Sequence, residues 1–240
     1  MNAITSETRG GPSKAVRGFV ALLMVGIWIP ILCTAPQLLG GYLWRTHGFS
    51  TDLPLAHLVR VSLNTVFVLA FLVLTKRTKM LAPERPKRPS VFFLFVPLMV
   101  VNVAQGPFTD AGVAIVLVSL AGTTLTGFWE EFLFRGLVQE RLRVLGPRLS
   151  LLLTALMFAL IHINKGPWPV LIAFGIGLAF CVARDRIGIW PLVFIHATID
   201  FTSDVFVRRW EGFGLFGAAV VGAYGLVALF VLSRRSQKTE

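Results

Sequence analysis

Long apolar runs joined by short, basic, polar connections organise this chain. The runs fall at residues 16–44, 57–75, 91–105, 111–140, 149–164, 168–183, 187–203 and 212–233. An α-helix needs roughly 20 apolar residues to cross a bilayer, so the pattern predicts an all-α, polytopic transmembrane bundle of about eight helices. Pro30 and Pro36 are expected to kink the first of them, because proline withdraws an N–H from the helical ladder. Several runs are short for a perpendicular span and predict tilted, broken or neighbour-shielded helices. Residues 1–15 are polar, offer nothing to pack, and are expected to be disordered. The run behind them is far longer than the ~7–15 residue core of a cleavable signal peptide. No internal repeat is present, so 16–233 is expected to form one transmembrane domain, followed by a basic tail at 234–240.

Composition sharpens this picture. Of 240 residues 55% are hydrophobic and only 15% charged, with a mean hydropathy of +0.74. Soluble domains carry about 25% charged residues. A soluble globule of this size could not hide so much apolar surface. Cys33 and Cys181 both lie in apolar runs and read as packing residues, which excludes a disulfide scaffold.

The net charge of +11 invites a nucleic-acid reading, but its placement argues against one. With a cytoplasmic N-terminus, 17 of the 23 basic residues fall in cytoplasmic segments and 5 outside, with Arg135 left within a helix. That is the positive-inside distribution of a membrane protein with both termini cytoplasmic. Arg208 and Arg209 dissent, which makes the last two helices the least constrained. The excess of Arg over Lys and the short loops read as a bacterial plasma membrane protein.

Ionisable groups inside apolar runs carry the information, since burying a charge in a bilayer costs a few kcal/mol or more. They are Glu130, Glu131, Arg135, His162, His196 and Asp200. Asp110, Asp185 and Asp204 fall at predicted helix ends, and His47 and His57 flank a loop where solvation is expected. On a helix Glu131 and Arg135 share a face at i and i+4 and can neutralise each other. Glu130 is rotated by about 100° and has no such partner, so it must either be kept protonated by burial or meet a polar group from another helix. His196 and Asp200 likewise share one face. A structural ion pair with an interfacial Glu is the alternative reading.

Depth ties these groups together. Counting ~1.5 Å per residue from the basic boundaries puts Glu130 about 16 Å deep, His162 about 21 Å, His196 about 12 Å and Asp200 about 18 Å. Different helices thus contribute to one layer near the middle of a ~30 Å hydrocarbon core. A carboxylate and imidazoles in a dry cavity are the ingredients for activating water.

The elements Glu130-Glu131-x-x-x-Arg135, Phe158-x-x-x-His162 and His196-x-x-x-Asp200, in this order, resemble the CAAX protease and bacteriocin-processing family of intramembrane proteases, which includes the Ras-converting enzyme. The resemblance covers about residues 110–205. It implies peptide-bond hydrolysis in or near the membrane, with Glu130 and His162 activating the attacking water. His196 and residue 200 would stabilise the oxyanion, and Glu131 and Arg135 would brace the helix. The family is described both as metalloproteases and as metal-independent glutamate proteases, so the cofactor stays open. Residue 200 is Asp where Asn is frequent, and an ionised Asp cannot donate to an oxyanion. Either it is protonated, or it orients His196, or Glu130, His162, His196 and Asp200 together bind zinc or a similar divalent metal.

The expected partners are a peptide or membrane-protein substrate and the lipid bilayer. The sequence leaves open whether the substrate is prenylated; in a bacterium, peptide maturation or cleavage of a membrane-bound regulator fits better. A non-catalytic scaffold or immunity-type protein of the same fold is the alternative, and a proton-coupled transporter a more distant one.

Overall fold

The computed structural model describes residues 13–35, 38–39, 42, 46, 54–101, 103, 108, 110, 112–206 and 222–224, with side chains from residue 56 in the second helix. Among them the structure is helical, with no strand beyond an isolated bridge between Phe108 and Phe206. Helix α1 (Lys14–Ile29) opens on Ser13, whose hydroxyl accepts the Val16 N–H at 3.3 Å, satisfying one of the orphan donors of a first turn. At Pro30 it passes into a π-helical turn, Pro30–Thr34. Proline cannot return a hydrogen bond to the preceding turn, and a widened turn absorbs the defect. Pro36 lies outside the described residues.

Helix α2 (Pro54–Leu74) follows, then α3 (Pro89–Val100), which is 3-10 as far as Phe95 and α-helical beyond. Helix α4 (Val113–Leu145) is the longest. It is α-helical to Glu131, π-helical over Phe132–Val138, then α-helical and finally 3-10. Helices α5 (Pro147–Leu160), α6 (Pro167–Ile187) and α7 (Ile189–Val205) complete the described bundle. Gly146-Pro147 and Gly166-Pro167 make the entries to α5 and α6. Each glycine takes a positive φ, +100° and +96°, that a side chain would oppose, and each proline occupies a first-turn position whose N–H would go unused.

Lys14–Thr34, Ala56–Leu74 and Val113–Leu145 are long and apolar enough to cross a membrane. Phe19, Leu23, Leu74, Val113 and Leu117 present apolar surface outward, as lipid-facing positions do. The protein is an integral membrane protein. Each of the first seven apolar runs corresponds to one of α1–α7. The eighth, 212–233, lies outside the described residues except for a helical piece at 222–224. His47, Arg208, Arg209, the N-terminal residues through 12 and the tail at 234–240 lie outside them as well.

Two differences from the sequence expectation bear on the site. The π segment within α4 has no counterpart in the apolar pattern. Helix α5 stops at Leu160, and its 14 residues make about 21 Å of helix against a ~30 Å core. Its far end therefore lies at the depth of the buried polar groups.

Candidate active site

The site is built where α4 and α7 touch backbone to backbone. At Gly127 an added Cβ would stand 2.8 Å from the Val193 carbonyl oxygen and 3.1 Å from the Ala197 nitrogen. Only glycine permits that approach. One turn further along α4, Glu130 and Glu131 are thereby brought beside His196.

Glu131 and Arg135 are both fully buried and lie 3.0 Å apart through Oε1 and Nη1. The same Glu131 Oε1 lies 2.7 Å from His196 Nδ1. A carboxylate only accepts, so Nδ1 carries the hydrogen and donates, which fixes the imidazole with Nε2 pointing away from Glu131. That nitrogen faces two further carboxylates, Glu130 Oε2 at 3.6 Å and Asp200 Oδ2 at 3.5 Å. Glu130 is 5% exposed, and its Oε2 has no hydrogen-bond partner within the protein. Asp200 is more open, with 38% of its side chain exposed.

Arg135 is held by more than its ion pair. Its guanidinium carbon stands 4.2 Å from the centre of the Phe158 ring and 5.2 Å from that of Phe180, so cations and ring faces meet on two sides. Its Nη2 approaches the Gly177 carbonyl at 3.5 Å. Both rings also border His196, each with its centre 6.0 Å from the imidazole. Below this layer Gln139 donates to the Cys181 carbonyl at 2.9 Å, and Ser150 to the Gln139 carbonyl at 2.9 Å. These bonds tie α4, α5 and α6 together beneath the site.

His162 occupies the turn beyond the end of α5. Its Nδ1 lies 3.0 Å from the Phe158 carbonyl; that oxygen can only accept, so in the neutral ring Nε2 is left as an acceptor. Its ring sits 5.2 Å from Phe158, and it lies within electrostatic range of His196 and Asp200. Glu130, Glu131, Arg135, His196 and Asp200 thus form one directly contacting group, and His162 borders it through Phe158.

Among the described residues no group of three or more His, Cys, Asp or Glu side chains is placed to hold a metal ion. The set Glu130, His162, His196 and Asp200 is accordingly not gathered into such a group among them.

Sequence reasoning missed several participants. Phe158 and Phe180 enclose Arg135, and Gly127 sets the helix approach. Phe158 was visible as the first residue of its motif, whereas nothing in the chain announces Phe180. His57, expected beside a loop, lies in the first turn of α2 and is half-buried there. Its Nδ1 is 2.7 Å from Arg60 Nη2, and a Cβ at Gly122 would stand 3.2 Å from its ring. Asp204, expected to need no special account, accepts a hydrogen bond from Ser119 at 2.8 Å, joining the outer ends of α4 and α7.

No curated protein and no solved structure matches the chain. Residues 112–202 match the family model described as Rce1-like, type II CAAX prenyl endopeptidase Rce1-like. That interval begins at Gly112, the residue preceding α4, and ends at Thr202 in α7, so it contains every group described above. The family is one of proteases. The match over residues 112–202 agrees with the resemblance carried by the three motifs of Glu130, His162 and His196.

Proposed function

We propose that the protein is an intramembrane endopeptidase that hydrolyses peptide bonds of membrane-associated or lipidated substrates by a water activated at Glu130. The observation that carries this reading is the Glu130 carboxylate, buried, unpartnered at Oε2, and 3.6 Å from an imidazole nitrogen whose direction Glu131 sets. A buried carboxylate with an uncommitted oxygen is suited to take a proton from water.

In this mechanism Glu130 is the general base and His162 assists through Nε2. The water oxygen attacks the scissile carbonyl, and the proton it loses passes to the Glu130–His162 pair and then to the leaving amine. His196 supplies the donor for the oxyanion. With Nδ1–H committed to Glu131, donation from Nε2 requires the imidazolium, which the surrounding carboxylates of Glu130, Glu131 and Asp200 stabilise by charge. Such a preorganised donor contributes about 3 kcal/mol of transition-state stabilisation. Asp200 orients Nε2 and does not itself donate. Glu131 is a positioning residue, with Arg135 compensating its charge.

The test is a cleavage assay on purified protein in detergent, with S-prenylated and membrane-derived peptides read by mass spectrometry, with and without a chelator. New termini produced by wild type and absent with Glu130→Gln support the reading. Full activity of Glu130→Gln refutes the mechanism, and loss of wild-type activity on chelation refutes a metal-free site.

A further inference from the structure

Where the basic end of α4 meets the start of α5 and the end of α6, the three helices enclose a cavity of about 420 Å³. The polar Gln139, Arg143, Asp185 and Arg186 line it together with the apolar Leu151 and Val182. We infer that this cavity binds the headgroup of a membrane phospholipid that carries both a phosphodiester anion and a hydroxyl, as a phosphatidylglycerol does. The inference makes no use of the protease reading and stands apart from it.

Gln139 calls for the hydroxyl. It is 2% exposed, and its Nε2 donates to the Cys181 carbonyl at 2.9 Å. A carbonyl oxygen only accepts, so this bond fixes which end of the amide is the nitrogen. The other end, Oε1, is buried and has no hydrogen-bond partner within the protein. A buried acceptor left unpaired is destabilising. Because Gln139 lines the cavity, a donor seated there satisfies it.

Charge calls for the anion. Arg143 pairs with Asp185 and, at 3.2 Å, with Glu140. Arg184 pairs with Asp185 at 3.2 Å and with Glu84 at 3.4 Å. Arg186 donates to the Val182 carbonyl at 2.8 Å, and its own carbonyl accepts the Arg88 N–H at 3.0 Å. Arg88, Arg143, Arg184 and Arg186 thus stand against Glu84, Glu140 and Asp185, four cations to three acids. An anion balances that excess, and the arginine fork matches the oxygens of a phosphate.

The membrane supplies the ligand. Helix α5 starts at Pro147, and Leu149 and Leu152 in its first turns are 44% and 47% exposed. In an integral membrane protein such outward apolar positions face lipid. The cavity therefore lies at the level where the bundle surface turns from charged to apolar, the place where basic pockets between helices take lipid headgroups. Leu151 and Val182 offer an acyl chain an apolar wall.

The test titrates the purified protein in detergent with single lipids and counts bound lipid by native mass spectrometry. Dioleoyl phosphatidylglycerol carries the anion and the hydroxyl, dioleoyl phosphatidylmethanol the anion alone, and dioleoyl phosphatidylcholine neither a net charge nor a donor. Wild type is expected to bind phosphatidylglycerol about fivefold tighter than phosphatidylmethanol, the effect of one neutral hydrogen bond. Phosphatidylmethanol should bind at least about tenfold tighter than phosphatidylcholine, the low end for a charge-assisted bond. Gln139→Met should bring the first ratio close to one and keep the second. Arg143→Gln, whose ion pairs are exposed and add little to stability, should lower the second ratio several-fold and keep the first. Arg85→Gln makes the same charge change at an exposed position between α2 and α3 and should alter neither. A first ratio near one in wild type, or unchanged in Gln139→Met, overturns the hydroxyl contact and with it the inference. A second ratio near one, or equal effects of Arg143→Gln and Arg85→Gln, overturns the anion site. Should Gln139→Met fail to fold, the two wild-type ratios and the Arg143→Gln and Arg85→Gln pair decide. Full displacement of phosphatidylglycerol by millimolar inorganic phosphate would mark a site for free anions and overturn the lipid assignment.

Discussion

Replacing Gly127 by alanine tests whether helix approach positions the catalytic groups. The added methyl carbon would lie 2.8 Å from the Val193 oxygen and 3.1 Å from the Ala197 nitrogen. Both are backbone atoms of α7, and no rotamer change relieves them. To reach ordinary contact near 3.4 Å, α4 and α7 must separate by about 0.6 Å, since repulsion rises steeply inside van der Waals distance. The Glu131–His196 bond of 2.7 Å would then stretch to about 3.3 Å, past the normal limit of a hydrogen bond. Overpacking of this kind destabilises by about 1–3 kcal/mol. A misplacement of about 1 Å in a catalytic constellation lowers turnover by roughly a hundredfold, so about 0.6 Å should cost somewhat less. The expected outcome is a helical, membrane-inserted protein by circular dichroism whose kcat falls tens- to a hundredfold, with KM changed much less. Gly122→Ala is the control. It makes the same chemical change on the same helix, but the methyl meets the edge of the His57 ring at 3.2 Å, a side chain that can yield, and activity should fall less than threefold. Wild-type kcat in Gly127→Ala, or equal losses in the two variants, would refute the reasoning.

Further expectations concern the buried charges. Arg135→Met alone should destabilise the protein by about 3–5 kcal/mol, because it leaves Glu131 buried without its countercharge; detergent melting would read this, and an unchanged midpoint would count against the pair. Adding Glu131→Gln should recover much of that stability, since removing both charges of a buried pair is often neutral. Activity should not return, because the imidazolium of His196 has lost the carboxylate that orients it; a double variant both stable and active would show Glu131 to be merely structural. Asp200→Asn should keep activity within tenfold of wild type and stay insensitive to chelators, because Asn can still orient Nε2 and can donate. A loss beyond a hundredfold would mean that the Asp200 charge itself is needed, as a metal ligand would require.

What the chain discloses about its fold follows from range. Hydrophobic runs report burial in lipid, a property of each segment by itself, and the runs up to residue 203 therefore match α1–α7. The i, i+4 relations of Glu131 with Arg135 and of His196 with Asp200 are equally local, and the distances of 3.0 and 3.5 Å agree with helical spacing. The widened turn over Phe132–Val138 was not legible, because no proline or glycine pattern requires it. That segment packs wholly buried, and neighbouring helices decide how its backbone bonds are routed.

The organisation of the site was the least legible part, and the reason is the same. Glu131 reads naturally as the partner of Arg135 four residues away, and this pairing hides its second role, which depends on His196 sixty-five positions later. One oxygen serves both, so the brace and the catalytic orientation are a single device. A motif read along one helix assigns Glu131 to structure and Glu130 to chemistry, whereas the contact across helices makes their roles inseparable. In the proposed mechanism the imidazole offers Nε2 to the reaction only while Glu131 holds Nδ1, and Arg135, the other partner of Glu131, is itself held between Phe158 and Phe180. Each of those rings comes from a different helix. The chemistry proposed for Glu130 therefore depends on packing among α4, α5, α6 and α7, and a substitution at Phe180, which stands against Arg135, should lower turnover by loosening Arg135 first.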